Sequence, residues 1–157
     1  MSFRTAVLRT PHLQNALRPG LQALRAKDRP HVDPEDTRRL EGSVDVDSAL
    51  QSRQPNANRW DFAIGYRHAN RQTDFIYWVE VHTASDKEVK VILRKLNWLR
   101  SWLQNDGKLL NQIDREFVWV SSGVTTFTLD APQRKQFAQC GLAHKGKVLR
   151  IPLARPT

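Results

Sequence analysis

The sequence predicts a single α/β domain whose central mixed β-sheet is flanked by helices. Three observations carry this. The 157 residues, 39% hydrophobic and 26% charged, have the size and balance of one domain able to bury its own core. The middle of the chain moves from strand-like alternation to a long amphipathic helical period. Beyond it come another apolar strand, a short helix and a final strand, the order expected of a sheet with crossover connections.

The elements follow in chain order. Residues 11–26 place Leu13, Leu17, Leu21 and Leu24 at helical spacing, and Pro19-Gly20 interrupts them, so one broken helix or two short ones is expected. Pro30 and Pro34 bracket a loop, and residues 33–36 open a helical turn that ends at Glu41-Gly42. From residue 43, Val44, Val46 and Leu50 fall on one side and Asp45 and Asp47 on the other, the period of a half-buried first strand. A polar stretch, 51–58, leads to a second strand over 59–66, and a nearly continuous apolar run over 74–82 predicts a third, central strand. Ser85 and Glu88 have the spacing of a capping box for a helix running to about residue 104. Val89, Ile92, Leu93, Leu96, Leu99 and Leu103 form its buried stripe, and Lys87, Lys90, Arg94, Asn97, Ser101 and Gln104 form a polar one. A strand at 117–120, a helix at 131–140 and a last strand at 148–153 complete the chain. The domain is expected to span 1–157, with a helical segment over 1–42.

Charge narrows the partners. Lys and Arg number 25 against 16 Asp and Glu, a net charge of +9, which favours phosphate-rich partners. Residues 1–30 carry six basic residues and one acid, the stretch after Asp130 six and none (Arg134 and Lys135 through Lys145, Lys147, Arg150 and Arg155), and residues 31–47 six acids against two arginines. No stretch has the length and hydrophobicity of a membrane span, and one cysteine, Cys140, suits a reducing compartment, so a cytoplasmic location is expected. Cys140 and His144 lack the spacing of a metal or nucleophile site, and Trp98 and Trp102, one turn apart, fit packing better than base stacking.

Strand period places Glu80 and His82 on one face, above Trp78 and Ile76, and pairing of the second and third strands would turn Asp61 to the same spot. Two carboxylates converging on a sheet repel each other in a core, and a hard divalent cation such as Mg²⁺ or Mn²⁺ relieves the repulsion.

Trp60-Asp61-Phe62, followed by Val79-Glu80-Val81-His82-Thr83 and then a helix, resembles the PD-(D/E)XK nuclease superfamily. The resemblance covers about residues 43–104 and implies a restriction-endonuclease-like fold and metal-dependent phosphodiester hydrolysis. Asp61, Glu80 and the Val81 carbonyl would hold Mg²⁺ or Mn²⁺, and nucleic acid would be the substrate, with DNA favoured over RNA. The family keeps a lysine where this chain has His82, so His82 stands as a general base, a ligand or the mark of lost activity. Members of the family sometimes move the lysine, and Lys87 is the first candidate to replace it, with Lys90 second. Glu41 or Glu35 would supply a further acid, with Asp45 and Asp47 as rivals. Lys90, Arg94 and Asn97 would track a phosphate backbone, and small nucleases of this kind often pair as homodimers. The alternatives are a catalytically impaired nuclease fold that binds nucleic acid, and a protein-interaction domain.

Overall fold

In a computed structural model, which describes residues 1–70, 73–123 and 127–153, the sheet forms around two long neighbours. β4 (Phe62–Arg67) and β5 (Asp74–Thr83) make an antiparallel hairpin, and β5 pairs in parallel with β6 (Asp114–Ser122). β1 (Leu17–Arg18) and β3 (Leu40–Asp45) extend the antiparallel side and β7 (Leu142–Lys145) the parallel side, giving six strands in the order β1-β3-β4-β5-β6-β7. The expected α/β class and mixed sheet are therefore present, with β5 as an inner strand.

Alternation along the strands divides the core in two. On one face Ala63, Ile76, Trp78, Phe117 and Trp119 pack under α1 (Phe3–Leu8), α3 (Asp86–Gln104) and α4 (Ala131–Cys140). The other face presents Phe62, Ile64, Tyr77, Val79 and Val118, covered by Leu24 and by a parallel two-stranded ribbon of β2 (Val32–Pro34) and β8 (Leu149–Ile151). α1 lies almost on the backbone of β4: a Cβ on Gly65 would stand 2.3 Å from the Phe3 ring. Glycine is what lets that helix dock.

Several expectations are corrected. Residues 11–26 form turns and β1 rather than helix, because Pro11, Pro19 and Gly20 break the period, yet Leu13 and Leu24 are still buried. The helix at this end is α1, which the leucine spacing does not mark. The first strand stops at Asp45, whose carboxylate accepts from Ser48 N at 2.9 Å and caps a short α2 (Val46–Leu50), so Val46 and Leu50 are buried from a helix. β7 was absent from the expected elements. α4 starts at the expected place, capped by Asp130 with a reciprocal Gln133 bond. Ser85 stands at the N-cap of α3 without a side-chain capping bond, the Glu88 amide donating to the Ser85 carbonyl instead, and the Glu88 carboxylate is taken by His82. Arg155, at the end of the expected basic tail, lies outside the described residues.

Candidate active site

β4 and β5 separate where the chemistry gathers. Their pairing ends at Phe62↔Val79, while β5 continues along β6 to Thr83↔Ser122. Residues 80–83 thus have a neighbour on one side only, and Asp61, immediately before β4, faces the open side. Two side chains bridge the gap reciprocally. Asp61 donates its N–H to Glu80 Oε1 at 3.1 Å, and Val81 donates its N–H to Asp61 Oδ2 at 3.1 Å. The Asp61 carbonyl turns toward α2 and accepts from Val46 N at 2.9 Å, which draws the chain away from β5. Since N–H and C=O of one strand residue point to the same edge, the Val81 carbonyl faces the notch as well.

Glu80 is fully buried and Asp61 nearly so, 0% and 6% exposed. The cation that pairs with Glu80 comes from α3: Lys95 Nζ donates to Glu80 Oε2 at 2.6 Å. Two buried carboxyls against one part-buried ammonium leave an excess negative charge at the notch. Burial, and then the neighbouring Asp61 charge, push the Glu80 carboxyl up to about 8, offset in part by Lys95. Burial also raises Asp61, against the opposing pull of Lys95 and the Val81 amide. Burial lowers Lys95, but the two carboxyls outweigh it and the ammonium ends above its ordinary value.

His82 flanks this unit with its Nδ1 3.8 Å from Glu80 Oε2, and its Nε2 is hydrogen-bonded to Glu88 Oε2 in the first turn of α3. The imidazole is therefore oriented between two carboxyls and partly open to solvent.

The structure brings Asp61, Glu80, Val81 and His82 together and leaves Lys87 out. Lys87, Lys90, Arg94 and Asn97 are exposed on α3, and their side chains make no hydrogen bond or ion pair with the described residues. The correction from Lys87 to Lys95 has a geometric cause. Eight residues displace a side chain about 12 Å along a helix and turn it by roughly 80°. Lys95 was legible in principle, because with Ile92, Leu96 and Leu99 it falls within the buried stripe, where a lysine needs an acidic partner. Glu88, Lys95 and Trp102 recur every seven residues and face the sheet side together.

Of the remaining acids, Glu41 pairs with Arg4 at 3.5 Å and does not reach the notch, and Glu35 lines a separate cleft with Arg38 and Tyr66. Asp45 caps α2 rather than solvating a strand. Asp47 comes closest, its amide 3.4 Å from the Asp61 carbonyl, but its carboxylate is held by Arg59 at 2.9 Å and Arg25 at 3.1 Å. Trp102 is buried and stacks on the half-buried Trp98, and Cys140 is half-buried, while His144 Nε2 bonds Ser121 Oγ at 2.6 Å.

Among the described residues no group of three or more His, Cys, Asp and Glu side chains is placed to hold a metal ion. Magnesium is usually held by one or two carboxylates and keeps several waters, so Asp61 and Glu80 with the Val81 carbonyl fit it by donor chemistry. The Asp61 Oδ1 atom accepts no hydrogen bond from the described residues. No helix among the described residues is long and apolar enough to cross a membrane. No protein-family model, curated protein or solved structure matches the chain.

Proposed function

We propose that this protein is a metal-dependent nuclease-like domain that hydrolyses phosphodiester bonds, and that it carries the PD-(D/E)XK arrangement on a restriction-endonuclease-like core. The observation that carries the proposal is the notch where β4 leaves β5, at which Asp61, Glu80 and Lys95 converge with 2.6 Å between the ammonium and Glu80. Lys95 then takes the place of the motif lysine from the following helix, and His82 is freed of that duty. A bound Mg²⁺ or Mn²⁺ would polarise the phosphoryl group and lower the pKa of an attacking water. Asp61, Glu80 and the Val81 carbonyl would hold it. Lys95 keeps its charge beside them and orients the water or the phosphoryl oxygen, while His82, fixed by Glu88, lines the mouth.

The exposed row of Lys90, Arg94 and Asn97 on the same helix offers a track for a backbone, and DNA is favoured over RNA as substrate, with two copies acting on the two strands of a duplex. A cytoplasmic setting suits this role. The test is incubation with plasmid and single-stranded DNA in Mg²⁺ or Mn²⁺. Cleavage by the wild type that is abolished in Asp61→Ala and Glu80→Ala is the expected result. Cleavage equal in wild type and variants, or none from the wild type, rejects it.

A second reading, a nuclease fold that binds nucleic acid without cutting it, is favoured by the engagement of both Glu80 oxygens, one by Lys95 and one by the Asp61 amide. It predicts binding whose log affinity falls by about 0.9 per neutralised phosphate on duplex DNA as log salt rises, unchanged in Glu80→Ala.

A further inference from the structure

Away from the notch, α3 carries a second unbalanced cluster. Arg100 on α3 and Arg115 near the start of β6 line one cleft of about 340 Å³ with Leu103, Gln104, Asn111 and Phe117. Both guanidiniums are held in place. Arg100 donates through Nη2 to the Cys140 carbonyl at the end of α4 and lies 5.6 Å from the centroid of the Phe117 ring. Arg115 donates through Nη2 to the Asn111 carbonyl. Neither forms an ion pair with any described residue. The Arg115 Nε is buried and has no hydrogen-bond partner. The adjacent Asp114 offers none, because alternation along β6 sends it to another cleft, beside Met1 and Asp74.

Two cations facing one cleft repel, and neither can shed its proton as a carboxyl can hold one. Burial lowers the Arg115 guanidinium, Asp114 opposes that shift and the like charge of Arg100 adds to it. An anion offering several oxygens resolves the imbalance, since guanidinium forks match phosphate oxygens two at a time and the Asn111 and Gln104 amides add neutral donors. A phosphate group presents enough oxygens to serve both arginines at once.

We infer that the Arg100–Arg115 cleft is a phosphate-binding site that takes a phosphomonoester or phosphodiester group. It does not depend on hydrolysis at the notch: Arg115 stands in register with Ile76, four positions before Glu80 along β5, or about 13 Å away at strand rise.

The test is NMR of the arginine Nε–H groups in ¹⁵N-labelled protein at constant ionic strength. Inorganic phosphate is titrated first, then oligonucleotides with 5′-phosphate and 5′-hydroxyl ends. Saturable shifts of the Arg115 resonance that chloride does not produce are expected. A response to the 5′-phosphorylated oligonucleotide alone identifies a strand terminus, response to both identifies a backbone diester, and response to neither beyond free phosphate identifies a small phosphorylated ligand. Gln104→Glu, at an exposed lining position that leaves both tethers intact, places a competing carboxylate in the cleft and should weaken phosphate binding at least about tenfold, the loss of one charge-assisted contact. Arg115→Gln should do the same. Absence of a saturable shift, or phosphate affinity unchanged in Gln104→Glu, overturns the assignment. Asp61→Ala is expected to leave phosphate binding intact, so loss of cleavage and loss of this site are separable.

Discussion

The notch and the arginine cleft, both bordered by α3, gather charge of opposite sign and relieve it differently. In the notch two carboxyls share one ammonium, and the excess is met by a proton, with Glu80 pushed up to about 8. In the cleft two guanidiniums have no described carboxylate between them, and a guanidinium has no accessible neutral form. An acidic pair can therefore wait for its cation with a proton in place and become pH-sensitive. A basic pair can be satisfied only by an anion or by water.

The largest expected effect breaks the acidic member alone. Asp61→Ala or Glu80→Ala should reduce Mg²⁺-dependent cleavage by at least about 10³-fold, several kcal/mol of lost transition-state stabilisation, with phosphate binding at Arg115 unaltered in the same samples. A variant retaining a tenth of the activity would place the chemistry elsewhere.

Lys95→Met comes next. It should lower the cleavage rate by roughly 10²-fold, the scale of one lost charge-stabilising donor. It also removes the partner of a sealed carboxyl, at a cost of up to about 3 kcal/mol that shrinks where Glu80 can take up a proton. Urea unfolding at pH 6 and pH 9 measures this, with the larger loss expected at pH 9. Equal losses would mean that Glu80 does not change its ionisation between pH 6 and pH 9.

The raised Glu80 value sets a third effect. The folded, metal-free protein holds a proton that the unfolded chain releases near 4.5, so this group's contribution to stability is complete below 4.5 and is lost as pH rises toward about 8. A divalent cation must displace that proton, so Mg²⁺ affinity should rise about tenfold per pH unit below 8 and level off above it. Calorimetry in buffers of different ionisation enthalpy would reveal the released proton, and a flat profile would refute it.

The smallest effects belong to the exposed stripe. Lys90→Ala and Arg94→Ala should each lower the salt slope of nucleic-acid binding by about 1, with cleavage rates at saturating substrate close to wild type. Lys87→Ala should alter cleavage by less than about twofold, as expected for a side chain turned to solvent.

Much of this was written locally. The α/β class, β5, the buried stripe of α3 and the capped start of α4 follow from periodicity and side-chain chemistry within a few residues. So does the shared face of Glu80 and His82, because strand alternation is a local rule. The leucines of residues 11–26 show where that kind of inference ends: their spacing is helical and two of them are buried, but prolines and a glycine turn the backbone into bends. Ser85 and Glu88 show it again, since their spacing suits a capping box and the His82 imidazole at the end of β5 takes the carboxylate instead.

Residue identity by itself determined that an acid and a histidine would meet at the end of a buried strand, that a basic chain would carry them, and that Asp61 could join them if its strand paired alongside. Tertiary structure decided which lysine stands beside Glu80, that β4 parts from β5 at Asp61 and Glu80, and that Arg100 and Arg115 share a cleft. The division has a physical cause. Periodicity fixes the face on which a side chain lies, whereas its charge partner is set by packing between elements far apart in sequence, fifteen residues for Lys95 and Glu80, nineteen for Asp61 and Glu80.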